Sequence, residues 1–274
     1  MKKKITLLIA LYVMAFSAFA HFQMIYTPSS VIDGEAKSVP FKLVFTHPFE
    51  SGHTMDIGKN EAGEIKGLEH FFVIHKHKSI DAVSKLKEIT FTSHENSGKG
   101  FDFTLDKDTA FRGGGDWVLV AVPNPYYEPS EDMYIKQITK VMINKGNLDT
   151  DWSRRVAEGY PEILPFVKPY DVWVGGLFRG SVVDGKGQPV AYAEVEVAYC
   201  NYDIDMKANA FTGEARTSKG TAIIRADERG NFSFVPTRAG YWGFAAHGAG
   251  GEKLHDGKPL SEDAVLWIEA APVQ

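Results

Sequence analysis

Two imidazoles, two carboxylates and a thioether lie close together in residues 46–56. The side chains are those of His47, Glu50, His53, Met55 and Asp56. Imidazole with carboxylate is a borderline ligand set that suits nickel, copper, zinc or iron. Pro48 and Gly52 disfavour a helix, so the segment is predicted to be a turn or loop. We take the two histidines as candidate metal ligands, and Met55 and the two carboxylates as further candidates that would bind the metal or orient its ligands.

A third histidine, His21, would gain a second metal-binding group, its α-amino nitrogen, if the chain were cleaved before it. Residues 1–20 begin with lysines, continue with an apolar run and end in the small-residue sequence SAFA. This is the pattern of a cleaved signal peptide, and the apolar run is short for a membrane anchor. Cleavage after Ala20 would make His21 the mature N-terminus, where the α-amino nitrogen and the ring can chelate together. We therefore predict that His21, His47 and His53 meet at one metal.

Composition narrows the classes of partner. The chain of 274 residues has a formal charge of -5, and removal of the three leader lysines makes it -8. That charge disfavours nucleic acid and anionic membrane surfaces as partners. Beyond the leader no stretch is apolar enough to span a bilayer, so the mature protein is expected to be soluble and periplasmic. Cys200 is the only cysteine, which excludes an internal disulfide, and its place in an alternating segment predicts a buried, inert thiol.

Short strands separated by turn signals recur along the chain and would position these residues. Alternating or β-branched segments lie at 38–46, 68–74, 116–122, 178–183 and 190–199. Such a succession predicts an all-β protein built of antiparallel sandwiches. The first of these strands would lead directly into the candidate metal loop, so that a rigid sheet holds the ligands at a strand end.

A proline-rich stretch, residues 160–170, suggests a linker between two β-sandwich domains. We predict an N-terminal metal-binding β domain at 21–170 and a C-terminal β-sandwich domain at 171–274. Within the second, segments 221–225 and 232–235 are predicted to pair as a hairpin around a polar turn.

Three other histidines are weaker candidates. His75 and His77 are spaced as two residues on one face of a strand, which would permit a metal pair. The lysines beside them favour a solvated strand end instead. His247 precedes a glycine-rich loop, and it would reach the metal loop only if the two domains packed together there.

Resemblances to two known kinds of protein add to these predictions. The pattern G-x-V-x-D-x-x-G-x-P-V-x-x-A-x-V at 180–195 is similar to the transthyretin-like, carboxypeptidase-regulatory type of β-sandwich, and it implies fold alone. The whole mature chain resembles the exported nickel-uptake-associated proteins encoded beside energy-coupling-factor nickel and cobalt transporters, a family formerly described as a domain of unknown function. The stretches that carry this resemblance are the His21 start, THPFESGHTMD at 46–56, the segments 113–146 and 168–180, AGYWGFAA and DAVLWIE.

The second resemblance implies a function. It implies a non-catalytic protein that binds Ni(II), or Co(II), in the periplasm and delivers it to a membrane-embedded nickel/cobalt transporter. The residues carried over are His21, His47 and His53. Two alternatives stay open. A terminal histidine with a second imidazole is also the ligand set of a copper histidine brace, so Cu(II) in an oxidase-like protein is one. A metal-free adhesive or sugar-binding sandwich is the other.

Overall fold

The computed structural model describes residues 21–273, so the predicted signal peptide at 1–20 lies outside the described residues. Within that range the helical elements are two single 3₁₀ turns, Val83–Lys85 and Lys107–Thr109. None of the helices in the described part of the chain is long and apolar enough to cross a membrane. The strands are β1 (Phe22–Tyr26), β2 (Val31–Ile32), β3 (Val39–Thr46), β4 (Thr54–Met55), β5 (Leu68–His75), β6 (Lys78–Asp81), β7 (Lys87–Thr92), β8 (Ser97–Leu105), β9 (Gly115–Pro123), β10 (Tyr126–Glu128), β11 (Met133–Lys145), β12 (Glu162–Pro165), β13 (Val172–Trp173), β14 (Phe178–Val183), β15 (Glu194–Tyr199), β16 (Asp203–Asp205), β17 (Ala210–Thr212), β18 (Thr221–Arg225), β19 (Asn231–Phe234), β20 (Gly240–Ala246), β21 (Lys253–His255) and β22 (Lys258–Ala271).

A twelve-stranded sheet forms the middle of the molecule. Its strand order is β18-β15-β20-β22-β11-β9-β5-β6, with β2, β10, β13 and β21 paired alongside. The long strands β11 and β22 pair in parallel from Tyr134 and Leu260 to Val141 and Trp267. The pairs β5–β9, β9–β11, β15–β20 and β20–β22 are antiparallel.

Both faces of this central sheet are covered. The side chains of β9 alternate, so Leu119 contributes to the core on one face and Val120 to a core on the other. A seven-stranded sheet, β1-β3-β8-β7-β17-β16 with β4 on β3, packs on the first face. A three-stranded sheet, β12-β14-β19, packs on the second face against β15, β20 and β22. Residues 152–170 cover the second face beside β9. The protein is therefore a layered β-sandwich, and the predicted all-β class is confirmed.

One buried carboxylate holds the segment after β11 against the central sheet. Asp116 is fully buried, and its Oδ2 accepts hydrogen bonds from the backbone N–H groups of Thr150, Asp151 and Trp152 at 2.6–3.1 Å. Its Oδ1 accepts one from the Tyr170 hydroxyl at 2.6 Å. Burial, and then this hydrogen bond to Asp116, raise the pKa of Tyr170. Asp149 and Asp151 thus lie in a segment that Asp116 holds in place.

Strands from both sides of residue 170 share the central sheet, since β22 pairs with β11 and β20 pairs with β22. The division into domains at 21–170 and 171–274 stays a prediction.

The predicted hairpin of 221–225 with 232–235 is wrong. β18 pairs with β15 in the central sheet, whereas β19 pairs with β14 in the three-stranded sheet. The turn between them passes from one layer to the other. Alternation identified both strands, but it does not specify which neighbour supplies the hydrogen bonds.

Candidate metal centre

The start of β1 brings His21 beside the end of β3. The two strands are antiparallel, with Phe22 opposite Thr46, so His21 and His47 are the next residues out on each strand. Their rings meet edge to face with centres 4.7 Å apart. Gln137 of the central sheet fixes this end of β1, because its Nε2 donates to the His21 carbonyl at 2.8 Å and its Oε1 accepts from the Gln23 amide at 2.7 Å.

The loop 47–53 closes tightly between β3 and β4. The His47 amide donates to the His53 carbonyl at 3.1 Å, and the Ser51 amide donates to the His47 carbonyl at 2.7 Å. The hydroxyl of Thr46 donates to the same His53 carbonyl at 2.7 Å. These bonds hold the His47 and His53 rings with centres 6.1 Å apart. The predicted loop, and the approach of His21 to it, are therefore features of the fold.

Glu128, at the end of β10, is a member of the cluster that sequence reasoning missed. Its Oε2 lies 3.2 Å from His21 Nε2, with both side chains mostly buried. Its Oε1 accepts hydrogen bonds from the Ser130 amide at 3.0 Å and the Ser130 hydroxyl at 2.6 Å. The hydrogen bond from His21 lowers the pKa of Glu128 to about 2, against the opposing effect of burial. Glu128 is therefore an anion at neutral pH and orients His21.

His47 is kept neutral by its surroundings. Burial, followed by the nearby His21 and His53 rings, lowers the pKa of His47 to about 4. A metal ligand must be in its deprotonated form, and a neutral imidazole can offer a lone pair to a metal without first losing a proton. The site therefore combines a neutral imidazole with an anionic carboxylate.

His53 lies at the solvent side of the cluster. Its side chain is 53% exposed, and its Nδ1 lies 3.1 Å from Oε2 of Glu95, which is also exposed. An exposed ion pair of this kind holds a side chain weakly. His53 can therefore turn from Glu95 towards His47 at little cost in free energy.

The ring separations fit a shared ion. Two imidazoles bound to one metal through bonds of about 2.0–2.1 Å place their ring centres roughly 4.5–6.5 Å apart. The separations of His21 and His53 from His47, 4.7 and 6.1 Å, fall in that interval. In their present positions, however, no group of three or more His, Cys, Asp or Glu side chains in residues 21–273 could hold a metal ion. Binding would need a local adjustment, which the exposed side chain of His53 could supply.

The further candidates of the loop have other contacts. Asp56 accepts hydrogen bonds from the Lys99 amide at 2.8 Å and from Lys59 Nζ at 3.1 Å. Met55 pairs with Phe45 across β3 and β4 and packs on the core. Glu50 is exposed. The structure gives Asp56 and Met55 roles in holding the loop, and a ligand role for any of the three stays a prediction.

His75 and His77 do not share a strand face. β5 ends at His75, and Lys76 and His77 form the two-residue turn to β6 with positive φ of 47° and 67°, as a type I′ turn requires. His75 stacks on Trp117 with ring centres 3.9 Å apart, and its Nδ1 lies 2.8 Å from the Asp116 carbonyl. The spacing predicted one face because it could not show where the strand ended.

His247 lies away from the metal loop, between Glu196 and Asp263. Its Nε2 is 3.0 Å from Glu196 and its Nδ1 is 3.4 Å from Asp263. His247 and His21 nevertheless line the same cavity. A place for His247 in the metal site, which depended on close packing of the two predicted domains, stays a prediction.

The fold and the cluster define a layered β-sandwich protein with a histidine-rich site at the end of two strands. The chain belongs to the family described as a domain of unknown function (DUF4198), whose sequence model matches residues 18–250. No curated protein matches it.

Solved structures give distant similarities. The D0-D1 domain of intimin aligns over 90% of this chain and 98% of its own, at 10% identity and a TM-score of 0.21. The native E. coli alpha-2-macroglobulin aligns at 11% identity and 0.21, and its elastase-activated form at 10% and 0.22. The matched part is 14% and 20% of the length of those two chains. Similarity at this level transfers no function.

Proposed function

We propose that this protein binds a transition metal, Ni(II) or alternatively Co(II), without catalysing a reaction. It would do so in the periplasm and deliver the metal to a membrane-embedded nickel/cobalt transporter. The observation that carries the proposal is the meeting of His21 and His47, chosen from sequence as ligands, at ring centres 4.7 Å apart. The resemblance to nickel-uptake-associated proteins supplies the metal and the partner.

The donors suit such a role. Imidazole and carboxylate are ligands for nickel and cobalt, and selection among divalent metals depends on geometry and supply. His21 and His47 would bind through ring nitrogens, and the exposed His53 would turn inward as a third donor. Glu128 would either bind directly or hold the His21 ring, and carboxylates that orient a histidine ligand commonly raise its metal affinity.

The test is a nickel titration of protein processed to His21. We expect the double variant His47→Ala/His53→Ala to bind nickel at least roughly 10–100-fold more weakly, because even the loss of residues that only orient ligands has that effect. The variant should stay folded, since both residues lie on the loop 47–53 between β3 and β4. His255→Ala is the matched control, because His255 lies outside the cluster. Equal nickel affinity in the double variant and the wild type would overturn the assignment.

A second candidate is the copper histidine brace. It is favoured by the adjacency of His21 and His47 together with Tyr126, whose ring centre lies 6.4 Å from that of His21. Peroxide-dependent oxidation of a reporter substrate by the copper-loaded protein would support this candidate against the carrier. Protein isolated from the periplasm with no metal by elemental analysis, and with no affinity for nickel or copper, would instead favour the metal-free sandwich.

A further inference from the structure

A cavity of about 260 Å³ lies beside His21. Its floor comes from β11, β15, β22 and the residue after β20. Asp263 is on the same face of β22 as Val265 and Trp267, which pack against β1 further along. The residues that line it include Glu131, Met133, Ile135, Glu194, Glu196, His247 and Asp263.

The cavity carries an excess of negative charge. Glu196 and Asp263 are 5% and 1% exposed, and His247 bridges them. Burial alone would lower the pKa of His247, but hydrogen bonds to Asp263 and Glu196 raise it to about 10. Glu131 and Glu194 lie exposed at the rim. Four carboxylates thus face a single imidazolium.

The two buried carboxylates are not equivalent. Asp263 is fully engaged, because besides His247 it accepts from the Gly248 amide at 2.9 Å, the Ser261 hydroxyl at 2.5 Å and Gln137 Nε2 at 3.3 Å. Glu196 receives its hydrogen bond from His247 on Oε2. Among residues 21–273, no side chain or backbone amide donates a hydrogen bond to Glu196 Oε1. Glu196 is therefore the buried acceptor available to a ligand in this cavity.

Size and wall chemistry limit that ligand. About 260 Å³ holds the equivalent of roughly nine water molecules at ~30 Å³ each, so the occupant is of amino-acid size. Met133 and Ile135 form an apolar strip along β11, separated from the carboxylates of β15 by β20 and β22 in the same sheet. A concave site with an apolar wall and a few convergent polar groups is the usual form of a small-molecule site.

We propose that this cavity binds a small organic cation, an aliphatic amine whose ammonium group donates to Glu196 and Glu194 while its chain lies on Met133 and Ile135. This is a binding function separate from that of the histidine cluster, and it requires no metal. His247 keeps the two buried carboxylates in place, and the excess negative charge selects the cation.

The experiment is an NMR titration of the full mature chain at pH 7, with EDTA present, using n-pentylamine. Its neutral isostere 1-pentanol and the anion pentanoate are titrated in parallel. We expect the amine to shift the amide signals of Gly248 and Ser261 and to bind at least roughly 10-fold more tightly than the alcohol, as a charge-assisted hydrogen bond implies. Pentanoate should leave these signals unchanged. Equal affinities for amine and alcohol would overturn the proposal.

Variants locate the binding. Glu196→Gln should weaken amine binding roughly 10-fold or more, and the exposed Glu194→Gln tests the same contact without disturbing the buried ion pairs. Glu228→Gln, on a remote turn, is the matched control. An undiminished amine affinity in Glu194→Gln and Glu196→Gln would overturn the proposal. A second outcome would also overturn it. If nickel, added without EDTA to His47→Ala/His53→Ala, shifted the cavity signals and the amine did not, the cavity would be a metal site.

Discussion

At the scale of single residues, His21 is the residue immediately before β1. Its side chain contacts His47 and Glu128 and lines the cavity. If processing frees its α-amino group, that nitrogen and the ring Nδ1 can close a six-membered chelate on one metal. One added residue converts the amine to an amide, which is no longer a basic ligand.

We therefore expect protein with an extra Gly before His21 to bind nickel roughly 10-fold or more weakly than protein starting at His21, since a ligand is lost. Thermal stability without metal should be similar, because chain ends tolerate additions when their backbone is not buried. Calorimetric titration of both forms, with the N-terminus checked by mass spectrometry, measures the difference. Equal affinity would make His21 a bystander and leave the site to His47, His53 and Glu128.

The His247 imidazolium should make the free energy of unfolding fall as pH becomes alkaline. Its folded pKa of about 10 exceeds the unfolded value of about 6.5. The stabilisation is therefore complete below pH 6.5 and is lost as pH rises through 10, because the folded state holds a proton that the unfolded state has released. The groups facing the ring are Glu196 and Asp263, with Glu194 and Glu131 at the cavity rim.

We expect the free energy of unfolding, measured with urea at pH 7 and pH 9.5, to fall more in the wild type than in His247→Gln. Solvent screening at the partly exposed ring limits the size of this difference. Titrations common to both proteins cancel in the comparison. A fall of the same size in His247→Gln would show that the ring does not hold its proton more tightly in the folded state.

The histidines of the candidate site were predictable from residue type, because His47 and His53 share one loop and His21 follows a recognisable leader pattern. Glu128 was not predictable. It reaches His21 only because β10 pairs with β11 in the central sheet while β1 belongs to the other sheet. A contact between residues of two different sheets produces no recognisable spacing of those residues in the sequence.

At the scale of elements, the candidate metal loop depends on how closely β8 approaches β4. A Cβ on Gly98 would lie 2.7 Å from the Thr54 carbonyl oxygen and 2.9 Å from that of Met55. Real Cβ atoms essentially never come so close to a backbone oxygen, so a larger residue at position 98 must displace β4 or β8. Because β4 follows His53 directly, the position of that candidate ligand depends on a glycine in another strand.

We expect Gly98→Ala to lower the free energy of unfolding by about 1–3 kcal/mol through overpacking, and to weaken nickel binding although no ligand is changed. Gly34→Ala is the matched control, because a Cβ there meets its nearest neighbour at 3.8 Å. Urea unfolding and nickel calorimetry on the two variants measure both effects. Unchanged nickel affinity in a destabilised Gly98→Ala would separate the loop from the β8 contact.

Strands were easier to predict than their partners. The segments 38–46 and 116–122 alternate or are continuously apolar, and both are strands within one or two residues of the expected bounds. The hairpin of β18 with β19 failed because each strand completes a different sheet. Local pattern reports burial and extension, whereas pairing depends on contacts distant in sequence.

At the scale of the whole molecule, the central sheet joins both sides of residue 170 through β11 and β22. A chain that starts at residue 171 would lack β11, the neighbour of β22 from Leu260 to Trp267. It would also expose Val265 and Trp267, which pack into the core shared with β1 and β9.

We therefore expect fragment 171–274 to lack the near-ultraviolet circular dichroism of packed tryptophans, and the full chain to unfold in a single transition. Scanning calorimetry of the full chain and urea titration of the fragment measure these outcomes. A fragment that unfolds cooperatively by itself would support two independent domains divided at residue 170.

The place of β22 also sets an order of events during synthesis. A chain that emerges from its N-terminus produces β11 more than a hundred residues before β22, yet the two are neighbours in the middle of the sheet. Until residue 271 is available, β11 presents an open hydrogen-bonding edge beside apolar side chains, which is the kind of surface on which nascent chains aggregate. The newly made polypeptide would therefore expose this edge until its last long strand closes the sheet.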